Sequence, residues 1–355
     1  MNTLREYVMQ QSIDEWLPWG GITLPHVLEQ KDGSYLSIIK YEPYSAPEHP
    51  EIHLPNFPRG WAISTERQHY KNGVYGDYLI ITWNPFYEKI TRNVENLRTP
   101  GLFKGNTLHY FGEEMQEIVK ELGKEIKVKL LEYQQIIDFL SFSLDFEYER
   151  VEMPEEPLYI DTLLSQDVAM SFGNNAISYI DPDGKVNRII LTSILGHPDL
   201  HNAFDQLNGV TYRYCRRLLC MPEDYTKDKL KEYTERWCKG RQYMLDGLLV
   251  PMTEGELFGP YAEAFIFCVP EDKVKEMVAY IRQVLSETSL SFVNEEFNLK
   301  EIWWGMCPGN FRANVNPLPE TFTDIGSLLL HSEEIVEESY MDKVYAEIVN
   351  GGSGG

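Results

Sequence analysis

Ala262-Glu-Ala-Phe-Ile-Phe-Cys-Val-Pro-Glu-Asp-Lys-Val-Lys-Glu-Met-Val-Ala-Tyr-Ile-Arg-Gln-Val-Leu-Ser286 changes its period at one proline. Before Pro270, Ala262–Val269 is a short, nearly continuous apolar run, which reads as a buried strand. After it, Val274, Met277, Val278, Ile281 and Leu285 recur in steps of three and four, one apolar stripe on a helix from Glu271 to about Ser286. Downstream come a strand, Leu290–Asn294, and a short helix, Leu299–Met306, stopped by Cys307-Pro-Gly309. Upstream, Asp181-Pro-Asp-Gly184 joins Ala176–Ile180 to Val186–Leu195 as a hairpin. A helix follows, opened by Pro198 and Asp199, with Leu200, Ala203, Phe204 and Leu207 on one face and a stop at Asn208-Gly209. Strand Val210–Cys220 comes next. With a helix near Lys227–Leu245 set aside as an insertion, the order is β-α-β-β-α-β, a ferredoxin-like split unit.

The first half reads as a degenerate version of the same unit. Lys31-Asp-Gly-Ser34 separates Val27-Leu28 from Tyr35–Ile39, and Asp-Gly predicts a two-residue turn with both positions at positive φ. Strands are expected at Trp61–Glu66 and Tyr78–Trp83. Between them, Pro43, Pro47, Pro50, Pro55 and Pro58 make residues 43–60 a loop where a crossover helix would stand. Met115, Ile118, Val119, Leu122, Ile126, Leu130, Tyr133, Ile137 and Leu140 predict one long helix over Glu113–Leu140. The fold class is thus α+β, with antiparallel or mixed sheets and packed helices. The expected divisions are residues 1–154 and 155–330, then an acidic helical tail with a Gly/Ser linker over 331–355.

The composition excludes whole classes. With 32 basic and 55 acidic side chains the formal charge is −23, against a phosphate-binding surface over much of the molecule. Five cysteines (Cys215, Cys220, Cys238, Cys268, Cys307) without a CxxC pair indicate neither a disulfide framework nor a zinc ribbon, and a reducing cytoplasmic setting is expected. No apolar run approaches the roughly 20 residues of a spanning helix. No G-x-x-x-x-G-K-[ST] or G-x-G-x-x-G occurs, so no phosphate cradle and no catalytic residue is assigned.

Weaker motifs carry a bland reading beside the sharp one. His197 and His201 have the i, i+4 spacing of zinc ligands, but Pro198 follows the first, no third ligand stands out, and a helix start explains them. Asp145, Glu147, Glu149, Glu152, Glu155 and Glu156 could supply a glycosidase pair, making a carbohydrate-active protein the competing class; a solvated acidic edge is the plainer account. Tyr212-Arg-Tyr-Cys-Arg-Arg217 has the aromatic–arginine mix that stacks single-stranded bases, whereas strand arginines ordinarily pair with carboxylates; direct nucleic-acid binding is not expected. Trp16, Trp19, Trp303 and Trp304 belong by default to a core, the first two alternatively to an interface.

Several short matches, in order, carry a resemblance. Glu15-Trp-Leu-Pro-Trp-Gly-Gly21 followed by Lys31-Asp-Gly-Ser34 resembles the opening of the TrbE/CagE-type (VirB-type) ATPases of conjugation and type IV secretion. Trp61-Ala-Ile63, Val151-Glu-Met-Pro154, Pro157-Leu-Tyr-Ile-Asp161 with Leu163-Leu164, and Cys307-Pro-Gly-Asn310 with Ala313-Asn314 are similar to later family segments. The resemblance covers about residues 12–330, departs at a shortened, proline-rich 41–60, and does not include the family's motor domain; ATP and magnesium are expected only there, not in this chain. It implies an N-terminal docking and assembly domain that binds inner-membrane channel components and neighbouring motor subunits, cytoplasmic and held at the membrane through partners, with homo-oligomers in the full-length protein. A stand-alone adaptor of the same fold is the other reading. Trp16, Leu17, Pro18, Trp19 and Gly20 are expected to dock the partner; Asp32, Gly33, Trp61, Pro157, Tyr159, Asp161, Pro308, Gly309, Asn310 and Asn314 are the resemblance's structural positions.

Overall fold

The computed structural model describes residues 17–42, 61–85, 100–144, 146, 151–155, 159–165, 168–173, 175–196, 200–219, 257–288, 290–297, 299–310, 318–322 and 325–330. The chain is α+β, built on one large antiparallel sheet with helices on both faces. Its strands are β1 (Trp19–Leu24), β2 (Val27–Gln30), β3 (Tyr35–Tyr41), β4 (Trp61–His69), β5 (Tyr75–Trp83), β6 (Val128–Leu130), β7 (Ala169–Phe172), β8 (Ile177–Ile180), β9 (Val186–Gly196), β10 (Tyr212–Leu219), β11 (Leu257–Pro270), β12 (Ser291–Asn294) and β13 (Leu318–Phe322). The helices are α1 (Pro100–Leu122), α2 (Gln134–Phe142), α3 (Ile160–Ser165), α4 (His201–Gln206), α5 (Val274–Glu287) and α6 (Leu299–Gly305). The spatial order is β1-β2-β3-β5-β4-β10-β11-β9-β8-β7, with β6 beside β3, β12 beside β9 and β13 beside β11.

Four strands of each half therefore lie in the same spatial order. In the first half it is β6-β3-β5-β4, in the second β12-β9-β11-β10. The two sets meet at a seam where β4 and β10 pair antiparallel from Tyr212↔His69 to Leu219↔Ala62, so the sheet runs through the division expected near residue 155. Alternate residues of the central strands enter different cores, as the pleat requires. One core places α1 against Trp61, Ile63, Leu79 and Ile81. On the same face, α4 and α5 close over Tyr212, Tyr214, Phe265 and Phe267. The opposite core joins α2, α3 and α6 to Leu28, Leu36, Ile38, Cys215 and Ile266.

Two expectations are corrected. The long helix is two helices separated by a strand: α1 begins at Pro100, inside a stretch without clear periodicity, and β6 and α2 follow it. Ile126, Val128 and Leu130 alternate with Glu125, Lys127 and Lys129, a period of two whose four-residue steps coincide with a helical stripe. β6 is thereby free to pair with β3 (Ile39↔Leu130), and Tyr133, at φ 40°, turns the chain into α2. The Asp-Gly hairpin is also not a two-residue turn. Gln30 N–H donates to Ser34 O (2.8 Å) and Gly33 N–H to Gln30 O (3.0 Å), enclosing a three-residue loop in which Gly33, at φ 82°, and not Asp32, takes the left-handed conformation. Tyr70–Val74 and Asp181–Lys185 close the same way around Gly73 and Gly184. Trp19–Gly21, read as belonging to a turn-rich aromatic segment, starts β1; β7 and β13 had no signal in the sequence. The helix expected near Lys227–Leu245 lies outside the described residues.

Candidate functional site

Distant short motifs converge on one junction. β1 carries Trp19 inward, fully buried, where its indole N–H donates to the carbonyl of Pro308 at 2.8 Å. The neighbouring turn brings Gln30, whose side-chain amide donates to Gly309 O (2.8 Å) and Ser34 Oγ (2.7 Å). Asp32 accepts from the Ser34 backbone N–H at 2.9 Å and fixes the turn. Lys31, beside it, forms an ion pair with the buried Asp161 in the first turn of α3. Gly309 stands at φ 80°, and a Cβ there would sit 2.3 Å from Gln30 Oε1. Asn310 closes the turn with a bond from its side-chain amide to Trp304 O (2.9 Å).

Of the positions expected to dock a partner, Leu17, Trp19 and Gly20 are buried, and Pro18 is half-buried. The Leu17 and Trp19 side chains are core: a ring enclosed by the junction has no surface to offer. Trp61 is core too, stacked on Trp83 with centroids 5.7 Å apart. Tyr159 is exposed. Trp16, Pro157 and Asn314 lie outside the described residues.

β10 holds the strongest electrostatics. Arg213, wholly buried, makes a two-pronged pair with Glu66 across the seam, both bonds 2.8 Å, and donates to Met306 O at 3.0 Å. Burial works to lower its pKa, but the Glu66 carboxylate, by its charge and its hydrogen bonds, holds the guanidinium charged. Arg216 donates to Tyr261 Oη (2.9 Å) and Leu328 O (2.7 Å), and Tyr261 donates to Glu263 (2.6 Å). Arg217 donates to Gly305 O, and burial lowers its pKa to about 10. The arginines of Tyr212-to-Arg217 are engaged within the fold, on the Glu66 carboxylate, the Tyr261 phenol and backbone carbonyls. Burial pushes the Cys307 thiol up to about 12 and raises Cys215 well above its ordinary value, so neither is an activated nucleophile.

An open groove of about 630 Å³ lies at one end of β4, β10 and β11, lined among others by Tyr70, Lys71, Asn187, Thr211, Cys268 and Met277. No group of three metal-ligating side chains occurs among the described residues. His197 lies outside them and only the backbone of His201, at the start of α4, is described; of the carboxylate run, Glu152 and Glu155 are exposed, while Asp145, Glu147, Glu149 and Glu156 lie outside. Among the described residues no helix is long and apolar enough to cross a membrane. Sequence reasoning missed Glu66, Gln30 and Asp77, buried partners of the Arg213 guanidinium, the Gly309 carbonyl and the Arg67 guanidinium (2.7 and 2.9 Å); a polar residue at an inward strand position was the available signal.

Comparison with known proteins adds a direction. No family model matches the chain. It is similar, at 21% identity over 245 residues and 61% of its length, to a protein of Sinorhizobium fredii (strain NBRC 101917 / NGR234) described as the second portion of a probable conjugal transfer protein TrbE. The chain spans 35% of that relative's length.

Proposed function

We propose that this chain works in conjugal transfer, or a related type IV secretion process, as a docking and assembly module of the TrbE type. The observation that carries the reading is the similarity along 245 residues to a conjugal transfer protein. The junction supports it: Trp19, Gln30, Asp161, Pro308 and Gly309, drawn from four separated segments, are engaged in a scaffold that holds segments together. In this reading each half is a ferredoxin-like unit, the module binds inner-membrane channel components, and it contacts neighbouring copies in the assembled machine. A charge of −23 complements the basic flanks that membrane proteins present to the cytoplasm.

The test is co-sedimentation of the purified chain with inverted inner-membrane vesicles, prepared with and without the channel components of a conjugation system. The chain is expected to pellet with the first and stay in solution with the second. Equal pelleting with both, or with neither, overturns the docking role.

A further inference from the structure

β12 stands at a margin of the sheet, paired with β9 through Phe292↔Ile194, Val293↔Ser193 and Asn294↔Thr192. A sheet margin is a row of unpaired backbone donors and acceptors, which proteins ordinarily guard with lysine, proline, bulges or cover. The other described marginal strands are guarded. β6 exposes Lys129, β13 carries Pro319, and β1 is interrupted twice in register. β7 buries Ala169 and Met170 and lays Phe172 against Trp303 with centroids 5.2 Å apart. β12 has one register shift at its start and then a run that, among the described residues, has no second strand beside it and shows apolar surface. Val293 is 44% exposed, Leu195 on the adjacent strand 46%, and Phe297, just beyond β12, 73%. Leu195 lies at that register shift, between Ile194, opposite Phe292, and Gly196, opposite Ser291.

The charge along the segment that carries β12 is one-sided. Residues 287–301 contain Glu287, Glu295, Glu296 and Glu301 against one cation, Lys300, whose ammonium lies 5.7 Å over the Phe172 ring. Two copies of such an edge would oppose glutamates to glutamates, which disfavours self-pairing. We propose that β12 is a docking edge for an extended segment of a partner protein in which basic residues alternate with apolar ones. Backbone pairing would add a strand beside β12, the apolar side chains would cover Val293, Leu195 and Phe297, and the basic ones would meet the glutamates. The proposal rests on the docking role above and names the surface that performs it.

The experiment titrates the whole chain with a fluorescein-labelled octapeptide alternating lysine with valine and threonine, read by anisotropy at low and high salt; a peptide with glutamate in place of lysine is the control. The lysine peptide is expected to bind, more weakly in high salt, and to slow amide exchange at Phe292 and Asn294, whose N–H groups face away from β9. Val293→Lys, which installs the missing guard, should reduce affinity about tenfold or more. Phe297→Ala, which leaves the charge unchanged, should weaken binding too, with circular dichroism unaltered in both variants. Equal binding of the glutamate peptide, or no loss in either variant, overturns the proposal. So does a dimer that Val293→Lys abolishes in a chain that ignores the peptide, since the edge then belongs to a second copy. If Val293→Lys still pellets with channel-bearing vesicles, the edge is wrong and docking stands; if the peptide binds but the vesicles do not, docking fails and the edge remains.

Discussion

Arg213 and Glu66 set the terms at the scale of single residues. A guanidinium and a carboxylate taken out of water together are tolerable because two parallel bonds match their shapes, and because Gln68 (2.9 Å) and the Cys215 thiol (3.6 Å) also donate to Glu66. Removing one partner leaves a buried charge alone. Glu66→Ala and Arg213→Ala should each lower unfolding free energy by about 3–5 kcal/mol in urea titrations, whereas Arg213→Met with Glu66→Leu should regain most of the loss. A double variant no better than either single one would show that the pair itself is not the source. The thiols give a second check. Burial raises both thiols and closes them off from reagent, so peptide mapping should find Cys307 and Cys215 unalkylated by iodoacetamide at pH 8 until denaturant is added. Neither pairing was visible in the sequence, where Glu66 stands 147 positions from Arg213. Residue type suggested carboxylate partners for the strand arginines, which holds for Arg213, whereas Arg216 donates to the Tyr261 phenol and Arg217 to Gly305 O; only the register of β4 against β10 discloses that the partner of Arg213 is Glu66.

At the scale of elements, local chemistry was legible wherever it determined the backbone. Apolar runs and the helical stripe of α5 placed β8, β9, β10, β11, β12, α4, α5 and α6 to within about five residues, since each pattern is imposed by one face meeting a core, whereas β7, β13 and α3 left no such pattern. The pattern misled over residues 113–140, where strand and helix periods overlap and pairing to β3 decides. Turns were legible in composition but not in type: glycine marked each loop, while the count of three loop residues depends on the facing strands. This separates two otherwise similar substitutions. Gly184, at φ 82°, has nothing within 4 Å of where a Cβ would stand, so Gly184→Ala should cost only the left-handed backbone term, about 1 kcal/mol. Gly309, at φ 80°, would bring that carbon against both Gln30 Oε1 and Leu36 Cδ1, 2.5 Å away. Gly309→Ala should cost a further ~1–3 kcal/mol from overpacking. Thermal melts of the two side by side check this; equal losses would mean that the junction yields freely.

Over the whole molecule, the question is whether the halves are separable. The sequence suggested a division at 154/155, because prolines and acids cluster there, and a linker is read from composition alone. The pairing between halves is of another kind: eight residue pairs from Tyr212↔His69 to Leu219↔Ala62 join β4 to β10 along their length. The Arg213–Glu66 pair lies on that seam, and Trp19 and Gln30 reach from the first strands to the turn at Pro308 and Gly309. One core draws Leu36, Ile38 and Ile80 together with Ile189, Leu191 and Ile266. Splitting the chain there would expose that core, open two hydrogen-bonding edges and strand Glu66 and Arg213 without partners, penalties neither half can recover alone. The intact chain should therefore melt in one transition, with calorimetric and van't Hoff enthalpies equal. Residues 1–154 expressed alone should lack sharp amide dispersion in NMR and aggregate, and co-expression with 155–355 should restore a soluble complex. A well-dispersed, monomeric 1–154 would instead mean that the seam joins two independently stable units.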